Sequence, residues 1–281
     1  MPTVYASKMR HLLFLFSLLV APAALAQPAQ DWAAARSPSQ GPARSIGGTA
    51  LGCVAGAKAL PPEGPGWQTV RLSRNRNWGH PETLHFLVRL GAAARAIGLP
   101  DLLIGDMGQP RGGPLPYGHA SHQSGLDVDI WLDVRQRAPL SREAREHLEV
   151  PSLVLPDQAA VDPQRFTLAH ARLVRLAAEA PGVDRVLVNH GIKRSLCAAH
   201  AGEAWLHRLR PWRGHDSHMH IRLRCPADSP LCQPGPSIPP GDGCDSSLDW
   251  WLTEAARRPA PRAPGPPPVL PAACTALLGA H

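Results

Sequence analysis

Gly118-His119-Ala120-Ser121-His122-Gln123-Ser124-Gly125-Leu126-Asp127-Val128-Asp129-Ile130-Trp131-Leu132 is the stretch on which the reading of this chain turns. Its second half, Asp127 to Leu132, alternates polar and apolar residues, the period of a half-buried β-strand. Asp127 and Asp129 then share one face, and Val128 and Ile130 the other. The first half is a loop bounded by glycines that carries His119 and His122. A second histidine group, His215, His218 and His220, stands in GHDSHMHIRLRC (214–225), where His218 to Arg224 alternates in the same way. Strand alternation puts His218 and His220 on one face, whereas a helix would separate them.

Outward from these two stretches the pattern remains mixed. Leu84, Leu87, Val88, Gly91 and Ala94 recur at helical spacing between Pro81 and Ile97, with Gly98 as the stop. Phe166, Ala169, Leu173, Leu176 and Ala177 mark a second amphipathic helix. Leu102–Ile104 and Val186–Val188 read as short strands. The 44% hydrophobic content supports a core, while 32 prolines and 25 glycines argue for turns and extended connections rather than a helical bundle. The expected class is α+β, without internal repeats.

The ends differ in character. Lys8 and Arg10 precede an apolar run from Leu12 to Val20, and Ala24-Leu25-Ala26 supplies a small-residue cleavage pattern, so residues 1–26 read as a signal peptide. That run is shorter than the ~20 residues that span a bilayer, and no later stretch is longer, so no membrane span is expected after cleavage. Residues 27–45 read as a linker, and 46–281 as the functional domain, with a proline-rich extension from Pro226. Removing Lys8 and Arg10 takes the formal net charge from +7 to 7 − 2 = +5. No basic run with interleaved aromatics appears, so nucleic acid is not an expected partner, whereas an anionic polymer outside the cytoplasm fits the charge.

Cys53, Cys197, Cys225, Cys232, Cys244 and Cys274 form an even set in an exported chain, and none makes a Cys-x2-Cys pair. Disulfides are therefore expected rather than a zinc ribbon, although six cysteines allow ~15 pairings. The histidines carry the metal reading instead. Two histidines and a carboxylate form a standard set for a zinc peptidase, which keeps an open position for water. Asp127 and Asp129 compete for the carboxylate role, and the strand pattern does not separate them. Trp78, Trp205 and Trp212 are assigned to core packing, with a substrate groove as the alternative. His80, His85, His170, His190, His200 and His207 have no ligand pattern and are read as structural or surface residues.

GHASHQSGLDVDIWL and RPWRGHDSHMHIRLRCP together closely resemble the penicillin-insensitive murein endopeptidases. The resemblance extends through SIGGTALGCVAGAKALP, RNRNWGHPETLHFLVRLG, LLIGDMGQPRGG, VLVNHGIKRSLC and CPADSPLC. It implies a fold shared with lysostaphin-like enzymes and D-Ala-D-Ala carboxypeptidases: a small antiparallel sheet flanked by helices, with the proline-rich segments stapled by disulfides. The implied pairs are Cys53–Cys274, Cys197–Cys244 and Cys225–Cys232. The implied zinc ligands are His122, Asp129 and His220, with His218 as general base and His215 orienting that base or stabilising the transition state.

The implied reaction is hydrolysis of D-alanyl to meso-diaminopimelyl crosslinks of peptidoglycan in the periplasm. No Gly-x-Ser-x-Gly or Ser-x-x-Lys motif offers a serine for penicillin to acylate. His119 matches a ligand of a second, inter-subunit zinc site, which would make a homodimer. The accompanying Asp-x-x-His pair is broken here, as Asp157-Gln158-Ala159-Ala160, so one tightly bound Zn2+ per chain is expected. The alternatives are a D,D-carboxypeptidase or dipeptidase with the same chemistry, and a non-catalytic wall-binding protein that retains its metal.

Overall fold

The computed structural model describes Met1, residues 29–258 and residues 268–279. In chain order these form α1 (Ala29–Ala34), β1 (Arg44–Gly48), β2 (Leu51–Ala55), β3 (Lys58–Ala59), β4 (Glu63–Gly64), β5 (Trp67–Thr69), β6 (Trp78–Gly79), α2 (Pro81–Ala96), β7 (Leu102–Ile104) and β8 (Asp127–Trp131). They continue with α3 (Arg142–Glu146), α4 (Leu168–Glu179), β9 (Val183–Val188), α5 (His190–His200), β10 (Leu209–Pro211), β11 (His218–Leu223), α6 (Glu254–Arg257) and α7 (Ala272–Gly279).

Seven strands make one sheet in the order β10-β9-β11-β8-β7-β5-β4. Its central strands β9, β11, β8 and β7 are antiparallel neighbours. The expectation of an antiparallel sheet is corrected at its flanks, where β10 runs parallel to β9 and β5 parallel to β7. Parallel neighbours need a crossover. Helix α5 lies in the connection from β9 to β10, and α2 in that from β5 to β7.

Helix α2 forms where its signals are strongest. His80 caps it by accepting the Glu82 N–H at Nδ1, Pro81 occupies the first turn, and Gly98 follows in a left-handed conformation, φ 78°. It buries Phe86, Leu87, Leu90 and Ala94, spaced to share one stripe, and each large side chain contributes about 1.5–3 kcal/mol by leaving water. Leu173, Val174, Ala177 and Ala178 of α4 join the same core with Val183 and Val186 of β9. Val128 and Ile130 of β8, and Met219 and Ile221 of β11, complete it. One face of the sheet is thus occupied by the core, and the polar residues that alternate with these four are left on the other.

Several sequence expectations meet a different outcome. The expected linker, 27–45, instead carries α1 and the start of β1, and Trp32 is fully buried with Ile46, Cys53 and Cys274 in a second small core. A single tryptophan creates no periodicity, so this anchor was hidden in a low-complexity stretch. Helix α5 follows β9 directly, where the sequence reading places no element; Asn189 caps it, accepting the Gly191 N–H. The expected leader, 1–26, lies outside the described residues apart from Met1. Among the described residues, no helix is long and apolar enough to cross a membrane.

Three disulfides join Cys53 to Cys274, Cys197 to Cys244 and Cys225 to Cys232. They tie the proline-rich segment to the sheet domain at three points, and the part of that segment at 259–267 lies outside the described residues. The Cys53–Cys274 bond spans 221 residues and brings α7 against β2.

Candidate metal centre

The site begins with strand register. β8 and β11 pair so that Asp129 faces His220, Asp127 faces Arg222 and Trp131 faces His218. Directly opposed residues share a face of the sheet, with Cβ atoms about 4.5–5.5 Å apart. Two carboxylates, two histidines, an arginine and a tryptophan therefore stand together on the face away from the core.

The loop before β8 adds His119 and His122. His122 is fully buried and holds φ 67°, a conformation uncommon outside glycine. Its backbone N–H donates to Asp127 Oδ2 at 3.0 Å, and its Nδ1–H donates to the Met107 carbonyl at 2.7 Å. The other ring nitrogen, Nε2, is turned to Asp129 Oδ1, 3.4 Å away. His220 lies between the two carboxylates, with Nδ1 3.3 Å from Asp129 Oδ1 and Nε2 3.4 Å from Asp127 Oδ1. His119 reaches the other oxygen: its Nδ1 is 3.6 Å from Asp129 Oδ2, while its Nε2 is 3.1 Å from Asp106 Oδ2. His119, His122 and Asp129 offer ligand atoms within 4.8 Å of one another, a group that can hold a metal ion.

Burial and charge set the protonation of this cluster. Burial would raise the carboxyls of Asp127 and Asp129, but the surrounding basic groups and donors outweigh it and hold both well below the usual range. Those partners are chiefly His220 and Arg222 for Asp127, and His122 and His218 for Asp129. Burial alone would lower His220, yet Asp127 and then Asp129 push it up to about 9. Asp106 resists burial in the same way and falls to about 2, held by His119, Arg76 and Arg74.

His218 and His215 lie beside this core. His218 Nε2 is 3.9 Å from Asp129 Oδ2, and its ring centroid is 4.8 Å from that of His215. Burial first, then the neighbouring histidines, lower the pKa of His218 against the pull of Asp129. His215 falls to about 4, through burial and then the charge of His218. Its Nδ1–H donates to the Arg213 carbonyl at 2.7 Å, and its own carbonyl accepts the Asn189 N–H at 2.8 Å. Like His122, His215 has a positive φ, 54°, so both loops that present site histidines adopt backbone that side chains rarely favour. A cleft of about 510 Å³ lined by Arg71, Trp131, Ser217 and Glu149 adjoins His218. A larger hollow, about 870 Å³ around Trp205 and His207, carries none of the cluster.

The structure thus gathers His119, His122, Asp129, His215, His218 and His220 in one place. Within the chain it does not bring Asp157 to them: Asp157 is exposed and accepts the Ala159 N–H within its own turn. Trp205 is core, as expected, whereas Trp212 is 52% exposed three residues before His215. Sequence reasoning missed Asp106, which accepts from Arg76 at 2.9 Å and Arg74 at 3.1 Å while holding His119. The local signal was an acidic residue two positions after a strand, in Ile104-Gly105-Asp106. Arg222 was also missed; its guanidinium grips Asp127 through Nε at 2.9 Å and Nη2 at 3.3 Å.

Residues 45–279 match a family model described as penicillin-insensitive murein endopeptidase. Proteins of that name resemble the chain along most of its length. One from Haemophilus influenzae is 43% identical over 244 residues, covering 85% of this chain and 82% of its own. One from Yersinia enterocolitica is 44% identical over 257 residues, 90% and 92% of the two chains. A third, from Klebsiella pneumoniae, is 41% identical over 271 residues, 95% and 97%.

Proposed function

The chain belongs to the penicillin-insensitive murein endopeptidase family, and from that premise we propose that it is a periplasmic zinc peptidase that hydrolyses D-alanyl to meso-diaminopimelyl crosslinks in peptidoglycan. The proposed ligands are His122 Nε2, Asp129 Oδ1 and His220 Nδ1. The observation that carries the first two is that His122 Nε2 and Asp129 Oδ1 are buried without a hydrogen-bond partner among the described residues, a costly state that a cation relieves; on His220 the atom without one is Nε2, and Nδ1 is proposed because it is the nitrogen turned to Asp129 Oδ1. The 3.4 Å separation of those first two atoms, and the 3.3 Å from Asp129 Oδ1 to His220 Nδ1, leave the three atoms close enough to hold one cation together. The far nitrogen of His122 is hydrogen-bonded to the Met107 carbonyl, an arrangement that orients metal-binding histidines, and that of His220 lies 3.4 Å from Asp127 Oδ1. His119 addresses the other Asp129 oxygen and is tied to Asp106, which suits an auxiliary role.

Zinc held there would supply Lewis acidity to polarise the scissile carbonyl and acidify water near neutral pH. The chain's own residues do the rest. With its lowered pKa, His218 is neutral at pH 7, so Nε2 can accept a proton from water and return it to the leaving amine. His215 has its one proton committed to the Arg213 carbonyl, leaving Nε2 as an acceptor. It is therefore suited to orient the base, and not to donate to an oxyanion.

The test is mass spectrometry of products from a purified muropeptide dimer, with zinc content measured on the same sample. Cleavage to monomers, abolished by a chelator and restored by zinc, is expected, with one zinc per chain after dialysis. Release of terminal D-Ala alone would make it a D,D-carboxypeptidase. No product from zinc-loaded protein would make it a wall-binding protein, and two zinc ions per chain would restore the second site at His119.

A further inference from the structure

The cleft beside His218 has a cationic wall. Trp131 of β8 lies opposite His218 of β11, and their ring centroids are 5.3 Å apart. Against the indole lies Arg71, its guanidinium carbon 4.5 Å from the ring centroid. These two contacts in series put the Arg71 guanidinium at most about 10 Å from the His218 ring. Arg71, Trp131 and Ser217 line the same cleft, of about 510 Å³, so the arginine borders the space next to the proposed base.

Arg71 is held there at a cost. Its φ is 54°, in the left-handed region that His122 and His215 also adopt and where a glycine would sit more easily. Its backbone N–H donates to the Arg145 carbonyl at 3.2 Å, and its Nη2 to the Leu148 carbonyl at 2.8 Å. Those bonds fix the side chain but supply no counter-charge. A guanidinium has five donors, and the others here make no hydrogen bond or ion pair among the described residues. The carboxylates whose charge reaches it, Asp106, Glu146 and Asp129, are taken up elsewhere: the first by Arg76 and Arg74, the second by Ser73, the third by His122 and His220. Glu149, the acidic residue of the lining, is exposed and forms no ion pair among the described residues. Burial, then Arg74, lowers the Arg71 pKa against the pull of the three carboxylates. A half-buried arginine with donors to spare on the wall of an open cleft is a ready partner for a carboxylate, which it can grip with two parallel bonds.

We propose that Arg71 binds the free carboxylate of the diaminopimelyl residue whose amine forms the scissile amide, and so selects an acidic residue on the leaving side of the bond. In that residue the amide nitrogen and a carboxylate share one carbon, so the attacked carbonyl carbon and the carboxylate carbon are three bonds, about 3–4 Å, apart. A paired guanidinium carbon lies about 4 Å beyond. With the base one hydrogen bond from the attacking water, the guanidinium belongs within about 10 Å of the base, the range found for Arg71 and His218. This inference deepens the endopeptidase reading above and rests on it. Arg71 is a specificity residue here and takes no part in proton transfer.

The experiment compares wild type, Arg71→Gln and Arg71→Lys on one muropeptide dimer with that carboxylate free and on the same dimer with it amidated, with zinc content measured for each protein. Wild type should favour the free form about 10-fold or more in kcat/KM, mainly through KM, the equivalent of roughly one charge-assisted hydrogen bond. Arg71→Gln should lose that preference while keeping its zinc, and Arg71→Lys should recover part of it. Equal kcat/KM for wild type on the two dimers would overturn the subsite. So would an equal loss by Arg71→Gln on both, which a merely structural role at Trp131 and Leu148 would produce. If wild type cleaves neither dimer, the endopeptidase reading fails instead. Calorimetric affinities of wild type and Arg71→Lys for the two intact dimers then decide the subsite separately: a preference for the free carboxylate, weakened in the lysine variant, is expected, and equal affinities refute it.

Discussion

Replacing Asp127 with asparagine tests whether this carboxylate, which shares a strand face with Asp129, holds the metal or holds the residues that hold it. Asp127 is fully buried, and both of its oxygens face donors. Oδ1 meets Arg222 Nε at 2.9 Å and His220 Nε2 at 3.4 Å, while Oδ2 meets the His122 backbone N–H at 3.0 Å and Arg222 Nη2 at 3.3 Å. An asparagine has one oxygen and one NH2. In either orientation the amide nitrogen faces two donors, and the counter-charge to Arg222 is gone. Hydrogen bonds to a charged partner contribute about 1.5–3 kcal/mol each, so losing two should cost about 3–5 kcal/mol in the metal-free protein. At about 2–4 °C per kcal/mol for a domain of this size, the Tm should fall by roughly 6–20 °C.

The same substitution removes the acceptor that orients His220, for which about 10- to 100-fold weaker metal binding is expected. Stoichiometry should remain one zinc per chain at saturating metal. Asp129→Asn, by contrast, should not fill at all. The assay is zinc competition against a chelator of known affinity, beside thermal melts of the metal-free proteins. Zinc affinity of Asp127→Asn within twofold of wild type, or loss of zinc by Asp127→Asn and retention by Asp129→Asn, would refute the reasoning.

Three further outcomes are expected. His220→Ala should lose zinc and activity together, whereas His218→Ala should keep zinc and lose ~10²-fold or more in kcat; near-normal turnover by the latter contradicts its role as base. Thiol labelling of unreduced, denatured protein should detect no free cysteine, and replacing Cys53 and Cys274 by serine should cost about 3–5 kcal/mol in a denaturant titration, since their bond closes a long loop. Less than about 1 kcal/mol would speak against that staple, given the typical range for native disulfides. Burial, then Arg210, lowers Lys193 from 10.5 to about 8, so between those pH values the unfolded chain binds more protons than the folded one. Stability should therefore rise from pH 8 to 10.5, by up to about 3 kcal/mol, and the rise should vanish in Lys193→Met; a flat wild-type profile refutes this.

Much of this protein is legible in short stretches of its chain. The alternation of Asp127–Leu132 and His218–Arg224 specifies two strands and which residues share each face, because side chains on a strand repeat every two residues wherever the strand is placed. The Pro81–Ile97 stripe and its stop at Gly98 mark a helix for the same local reason. Six cysteines after a leader-like segment call for disulfides from composition alone.

What needed the tertiary structure was everything decided between distant segments. Asp127 and Asp129 are equivalent by pattern. They part roles only because the register of β8 on β11 sets Arg222 against the first and His220 against the second, a choice made by pairing residues about ninety positions apart. Asp106 acquires its place when the loop carrying His119 folds back over the end of β7, and neither segment announces the other. Trp32 belongs to the domain because a disulfide brings α7 to the small core it fills. The parallel flanking strands follow from crossovers through helices, which local periodicity does not encode. Local physics writes the elements and their faces; register, crossover and loop closure decide which face meets which, and the candidate metal centre lies at such a meeting.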